Sequence, residues 1–331
     1  MRYRQSELRR CLVALTVAAV AFGAFGATAA GPGAARPSAI KLFPRETVLW
    51  VRTADAGLLV ERLQQTSWAR LADDPEVADL SGRIGDAMTD AYNTYAQSFF
   101  DADLEQLLRL PQGEVAFGLI ARPEGEPGLL LVADFGEQAQ VAQQVFERLQ
   151  ELAEEDGRSV SVERLRSDDA TVIRDGNDQD RVVAVVRRGN TFVAANDREL
   201  MQATLDHWDE IPVAPAAADG EAADAAAESE GEPPLFAETL SANARFSATF
   251  RELMPGNEEP PQAMFFIDPI GLLKATAGRN AGMRIAMATF PALGVDGIQA
   301  FGAAGWFATD KWDSLLRGHL LLANPRAGVV K

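Results

Sequence analysis

The side chains that carry most enzymatic chemistry are scarce in this chain: of 331 residues, two are histidine and one is cysteine. His207 sits in LDHWDE at the end of an expected helix, where an imidazole suits the carbonyl end of the helix dipole. His319 alternates with Arg317 in RGHLLLA, and the alternation is read as placing it toward solvent, opposite Leu316, Leu320 and Leu322. Two distant histidines make a zinc site improbable without unusual carboxylate help. DGNDQD (175–180) comes nearest to a metal loop, with Asp175, Asn177 and Gln179 spaced like the start of an EF-hand. Its sixth position is Asp180 where glycine is needed, and its twelfth is Val186 where a bidentate glutamate belongs. Flanked by TVIR and RVVAVV, it reads as a hairpin turn.

Nucleophilic motifs fare no better. Ser38-Ala-Ile-Lys41 matches a Ser-x-x-Lys acyl-enzyme pattern, but neither S-D-N nor K-T-G follows it. No G-x-S-x-G or H-E-x-x-H occurs, and Gly297, Gly302 and Gly305 lack the lysine and hydroxyl of a phosphate loop. Trp50, Trp68, Trp208, Trp306 and Trp312 could line a groove, although such residues more often pack in cores. The sequence therefore nominates no catalytic, cofactor-binding or metal-ligating residue and no cofactor.

The elements that would position such groups are easier to read. Period-two or apolar β-favouring runs predict strands at Val48–Arg52, Glu114–Ala121, Gly128–Asp134, Arg181–Arg187, Thr191–Ala195, Ala263–Asp268, Ile298–Ala308 and Ser314–Ala323. Weaker ones lie at Ser159–Leu165 and Thr171–Arg174. Apolar residues stepping by three or four predict one long helix from Val77 to Phe99 and a second over Val141–Leu152, closed by Gly157. Four segments beginning at residues 48, 129, 191 and 263 share one form: apolar strand, polar turn, amphipathic helix. Asp55, Asp134, Asn196 and Asp268 stand at those turns, suited to accept unpaired amides at helix starts; a gathering of all four into a site is the rarer alternative.

The first thirty residues have the layout of a secretory leader: Arg2, Arg4, Arg9 and Arg10, an apolar run from Cys11, then Ala27-Thr28-Ala29-Ala30. Cleavage there is the preferred reading, with an uncleaved inner-membrane anchor as the alternative. Its removal leaves no cysteine, so no disulfide and no thiolate metal site. The whole chain carries −17 at pH 7, and the mature portion −20. Such a field repels phosphate backbones and anionic lipid, which argues against nucleic-acid partners and confines membrane contact to an uncleaved leader. Residues 31–42 read as a tether, 43–211 as a first α+β module, and 235–331 as a second. Between them lies 212–234, an acidic Ala/Glu/Asp/Pro stretch too polar to offset its ordering entropy. The second module ends without a closing helix or cap, so its completeness at Lys331 is open.

The opening LFPRETVLWVRTADAGLLVERLQQTSWARLADDPEV and the later return NTFVAANDRELMQATLD resemble the exported bacterial proteins grouped as domain of unknown function 3352. The resemblance spans most of 42–323 in layout and implies an α+β fold and an envelope location. It transfers no catalytic residue. The expected fold is α+β, with antiparallel-rich sheets built from strand–strand–helix units, helices on one face, and one long helix. The expected function is a non-enzymatic exported scaffold or binding protein of the periplasm or envelope, acting on an unidentified partner or ligand. The alternatives are an envelope hydrolase using unidentified carboxylates, and a carrier of an apolar ligand.

Overall fold

The structure is a computed structural model, and it describes residues 36–72, 110–123, 125–175, 178–210, 235–254, 259–277, 281–290 and 297–323, with isolated positions between 74 and 90. The leader, the expected long helix and the acidic stretch 212–234 lie outside the described residues, apart from those isolated positions.

Among the described residues, ten strands form one sheet. They are β1 (Thr47–Thr53), β2 (Val115–Ile120), β3 (Gly128–Asp134), β4 (Ser159–Leu165), β5 (Asp168–Asp175), β6 (Asp178–Arg188), β7 (Thr191–Ala195), β8 (Ala263–Ile267), β9 (Ile298–Phe307) and β10 (Ser314–Leu322). Their order is β10-β9-β8-β1-β2-β3-β7-β6-β5-β4, and every neighbouring pair is antiparallel. The sheet is three meanders zipped side by side. β1–β2–β3 forms the centre, and β8–β9–β10 joins it through β1, with Thr53 opposite Ala263 and Leu49 opposite Ile267. β4–β5–β6–β7 joins through β3, with Asp134 opposite Thr191. Sequence on both sides of 212–234 thus contributes to one continuous sheet.

Seven helices are described: α1 (Ala56–Gln65), α2 (Ser67–Ala72), α3 (Ala139–Glu155), α4 (Arg198–Glu210), α5 (Ala244–Leu253), α6 (Pro269–Ala277) and α7 (Ala281–Ala288). The α+β class expected from the sequence is the class the chain adopts. The helices, expected on one face, flank both. Side chains alternate across a strand, so Val185 and Val186 point to opposite faces. Val186, Val193, Ala184 and Trp50 share the main core with Leu200, Met201 and Leu205 of α4 and Phe246, Phe250 and Leu253 of α5. Val185 and Phe192 instead pack against Ala142 of α3. Ala56 at the start of α1 meets Val115 and Ala133 on that second face.

Trp50 anchors the main core. It is fully buried and meets Phe43, Phe246 and Phe250 edge-on at centroid distances of 6.4, 5.3 and 6.4 Å. Two glycines permit the close approach of its neighbours. A Cβ on Gly118 would stand 2.6 Å from Phe43 Cε1, and one on Gly302 would stand 2.4 Å from Thr249 Cγ2 of α5. Phe43 and α5 therefore lie directly on the backbone of the sheet.

Residues 36–42, read from the sequence as part of a tether, are packed. Ala39, Leu42 and Phe43 are wholly buried, with a 3-10 turn over Ala39–Lys41 setting their spacing. The chain enters the fold as a strap across the main core.

Candidate functional site

Each of the four strand-to-helix segments folds as strand, turn and helix, and the turn residues do local work. Asp55 caps α1, its side chain accepting the Leu58 amide at 2.7 Å. Asp268 accepts the Gly271 amide at 2.8 Å at the start of α6. Asp134 accepts the Gly136 amide at 2.9 Å. Asn196 instead clasps the start of β3, accepting from Leu129 N at 2.6 Å and donating to Pro127 O at 3.1 Å. The neighbouring Asp197 makes the capping contact, accepting from Leu200 N at 2.8 Å.

Antiparallel pairing keeps these four residues from converging. Asp55 and Asp134 flank Gly113 at one end of the central strands, through Ala56 N to Gly113 O at 2.9 Å and Gly113 N to Asp134 O at 3.0 Å. Asp268 and Asn196 lie at the other end, where Asp268 N donates to Val48 O at 2.7 Å and Asn196 N to Leu129 O at 3.2 Å.

The first of these ends holds a buried charge cluster. Glu114, 4% exposed, precedes the wholly buried strand β2. Its Oε2 accepts from Arg36 Nη1 at 2.5 Å and from Ala39 N at 3.1 Å, and its Oε1 accepts from Arg52 Nε. Arg36 Nε also donates to Asp134 Oδ2 at 3.2 Å. Two guanidinium groups thus face two carboxylates, and both oxygens of Glu114 are engaged. Buried charges persist only when paired and hydrogen-bonded. Chemically, the cluster is a latch: it fixes the strap at residues 36–39 to β1, β2 and the end of β3.

His207 fastens the other part of the strap. The ring is buried, with Nδ1 3.4 Å from Leu42 O and Nε2 3.3 Å from Ala237 O. It ties α4 to the strap and to the chain just beyond the acidic stretch. His319 corrects its expected placement. It pairs with Gly302 on the face that α5 covers and is half-buried there, beside Arg317, whose Cζ lies 5.3 Å from the Trp306 ring centroid. The exposed face of β10 carries Leu316 and Leu320.

A second ionic group lies along β4–β6. Arg188 donates to Asp168 and Asp209, and its Cζ lies 5.4 Å from the Trp208 ring centroid. The Arg188 hydrogen bonds hold the Asp168 carboxyl below its ordinary range. Burial alone would pull the Arg188 guanidinium down, but the bonds to Asp168 and Asp209 outweigh it and leave it raised. Glu163 is likewise lowered, chiefly by its hydrogen bond from Arg174. At DGNDQD, expected as a hairpin turn, Asp175 stands opposite Asp178 between β5 and β6. Ser38 lies 3.5 Å from Glu114 through its hydroxyl, while Lys41 is exposed.

The tryptophans divide. Trp50 and Trp306 are buried, whereas Trp68 is 68% and Trp312 47% exposed. The last two flank one contact: Asp313 accepts from Ser67 N at 2.9 Å and from Ser67 Oγ at 2.9 Å, joining α2 to the β9–β10 hairpin. That backbone hydrogen bond is the main cause holding the Asp313 carboxyl low. Among the described residues no group of three metal-ligating side chains converges, and no helix is long and apolar enough to cross a membrane. Scans against protein-family models, curated proteins and solved structures find no match.

Proposed function

We propose that this chain is a non-enzymatic exported protein that serves as a scaffold or binding platform in the cell envelope. One contrast supports the reading. The buried ionisable groups Glu114, Asp268 and His207 are each engaged in holding backbone or arginine inside the fold, while large apolar side chains stand on the surface. Trp68, Trp312, Leu316, Val162 and Ile285 are among them. Apolar surface supports contact with another macromolecule where it is contiguous, as Leu316 and Leu320 are on one face of β10. Export is the part contributed by the leader, and it agrees with the family resemblance in LFPRETVLWV.

The test is fractionation of cells producing the full chain, with a photo-crosslinking amino acid at position 68. The expected result is a chain in the envelope fraction that begins near Ala30 or Gly31 by mass spectrometry and crosslinks to protein. A cytosolic chain retaining Arg2–Arg10, or an exported chain without crosslinks, overturns the reading.

A further inference from the structure

The two edges of the sheet are unlike. β4 is guarded by charge: Glu163 pairs with Arg174 and Arg198, and Arg164 with Asp169. Natural sheets protect edges in this way because unpaired strand backbone templates further pairing. β10 is guarded less: its one formal charge, Arg317, lies on the face that α5 covers. Over its nine residues, SLLRGHLLL, there is no acid, no lysine and no proline, and the one irregularity in its pairing falls at Leu321–Leu322. It presents Leu316 at 73% and Leu320 at 48% exposure on one face.

The sequence of that edge is also nearly palindromic. About Gly318, Arg317 mirrors His319, Leu316 mirrors Leu320, and Leu315 mirrors Leu321. An antiparallel strand pair with a two-fold axis places residue i opposite its mirror in the other copy. Centred on Gly318, such a pair sets each Leu316 against Leu320 of the partner subunit. The Phe301 ring extends the apolar strip inward, lying over Gly318, where a Cβ would come 3.3 Å from its Cε2. The net charge of −17 opposes association of copies, and a contact along β10, whose nine residues include no carboxylate, adds less to that repulsion than one along β4 with Glu163.

We propose that β10 is a self-association edge, pairing antiparallel with β10 of a second copy about Gly318 to make a continuous twenty-stranded sheet from the ten of each chain. This deepens the scaffold reading by naming one partner, a second copy of the chain. Main-chain hydrogen bonds supply the attraction, and the leucine register supplies the specificity. Screening of the net charge strengthens the pair, so association rises with salt.

The experiment is sedimentation of the full chain across concentration and salt, together with crosslinking in a Cys11→Ser background. The expected result is a dimer that tightens as salt rises. Leu316→Lys weakens it about tenfold, because both symmetric leucine contacts are lost. His319→Glu tightens it by placing a carboxylate opposite Arg317 of the partner subunit. Mixed Leu316→Cys and Leu320→Cys chains form a disulfide dimer on oxidation, while neither variant alone does. Unchanged melting temperatures keep each result clear of misfolding, which exposed positions 316 and 320 favour. A monomer at all concentrations overturns the proposal, as does a dimer indifferent to Leu316→Lys or one that crosslinks in another register. A monomeric chain that still crosslinks to other envelope proteins through position 68 sinks the self-pairing alone and leaves the scaffold reading standing.

Discussion

Arg36 and Glu114 meet at 2.5 Å across 78 residues of chain, and the meeting converts an N-terminal segment into part of the core. Arg36→Ala leaves Glu114 buried with one guanidinium instead of two and leaves Asp134 short of a partner. The expected cost is about 2–3 kcal/mol in urea unfolding, as for other buried pairs broken on one side. Arg45→Ala, which removes an exposed pair with Glu238, serves as the comparison and should cost markedly less. Equal losses from the two variants would show that the latch adds nothing beyond a surface pair.

The Asp168–Arg188 contact predicts a pH dependence with a definite sign. Because the folded Asp168 carboxyl lies below its ordinary value of 3.8, its contribution is fully present above that value. It is lost as pH falls through the lower folded value. Asp168→Asn should therefore cost about 1 kcal/mol at pH 7, a figure discounted for partial exposure. The gap between variant and wild type should narrow as pH falls below 3.8 and through the lower folded value. Urea melts at pH 7, 4 and 2.5 measure it, and a gap that widens toward acid would reverse the assignment.

Trp50 tests packing apart from hydrogen bonding. Its indole Nε1 is buried with no hydrogen-bond partner among the described residues. Trp50→Phe removes that N–H without orphaning an acceptor, and should cost less than about 1.5 kcal/mol beyond the volume lost. Trp50→Ala opens a cavity among Phe43, Phe246 and Phe250 and should cost about 3–5 kcal/mol. Chemical denaturation of the three proteins decides the matter; parity between the two variants would locate an unseen polar partner.

Gly302→Ala examines how closely α5 lies on the sheet. The added methyl meets Thr249 Cγ2 at 2.4 Å, and the expected loss is about 1–3 kcal/mol. Adding Thr249→Ser, which deletes the clashing methyl and keeps the hydroxyl bonded to Arg245 O at 2.8 Å, should restore more than half of it. A double-mutant cycle with no coupling would mean the helix simply shifts aside.

The ten strands were legible because alternation and turn residues are local signals, and each expected run coincides with a strand of the sheet. The orientation of β10 was not legible. Leucines occupy both parities, Leu315 and Leu321 on one face and Leu316 and Leu320 on the other, so alternation cannot choose between them. The choice is made by α5, a non-local partner that covers the Arg317 and His319 face. Helix caps show the same limit at smaller scale: Asn196 and Asp197 are both able to cap, and only the geometry of β3 assigns the first to the strand. The packed strap carried a faint signal in Ala39, Leu42 and Phe43, whose three- and four-residue steps fit one apolar side. The latch offered another in Glu114, an acid placed directly before an uninterrupted apolar strand. A charge there demands a buried counterpart, although the sequence does not reveal which arginine.

The central place of β1 sets a timetable for the growing polypeptide. Its neighbour β8 follows about 210 residues later, since Thr53 pairs with Ala263. At a synthesis rate of roughly 5–20 residues per second, the second edge of β1 waits on the order of 10–40 s for its partner. Over that interval Trp50 also lacks Phe246 and Phe250, because α5 emerges only shortly before β8. The nascent chain thus carries β1 half-paired for most of its synthesis, and on the export reading proposed above that is a state translocation machinery can still thread.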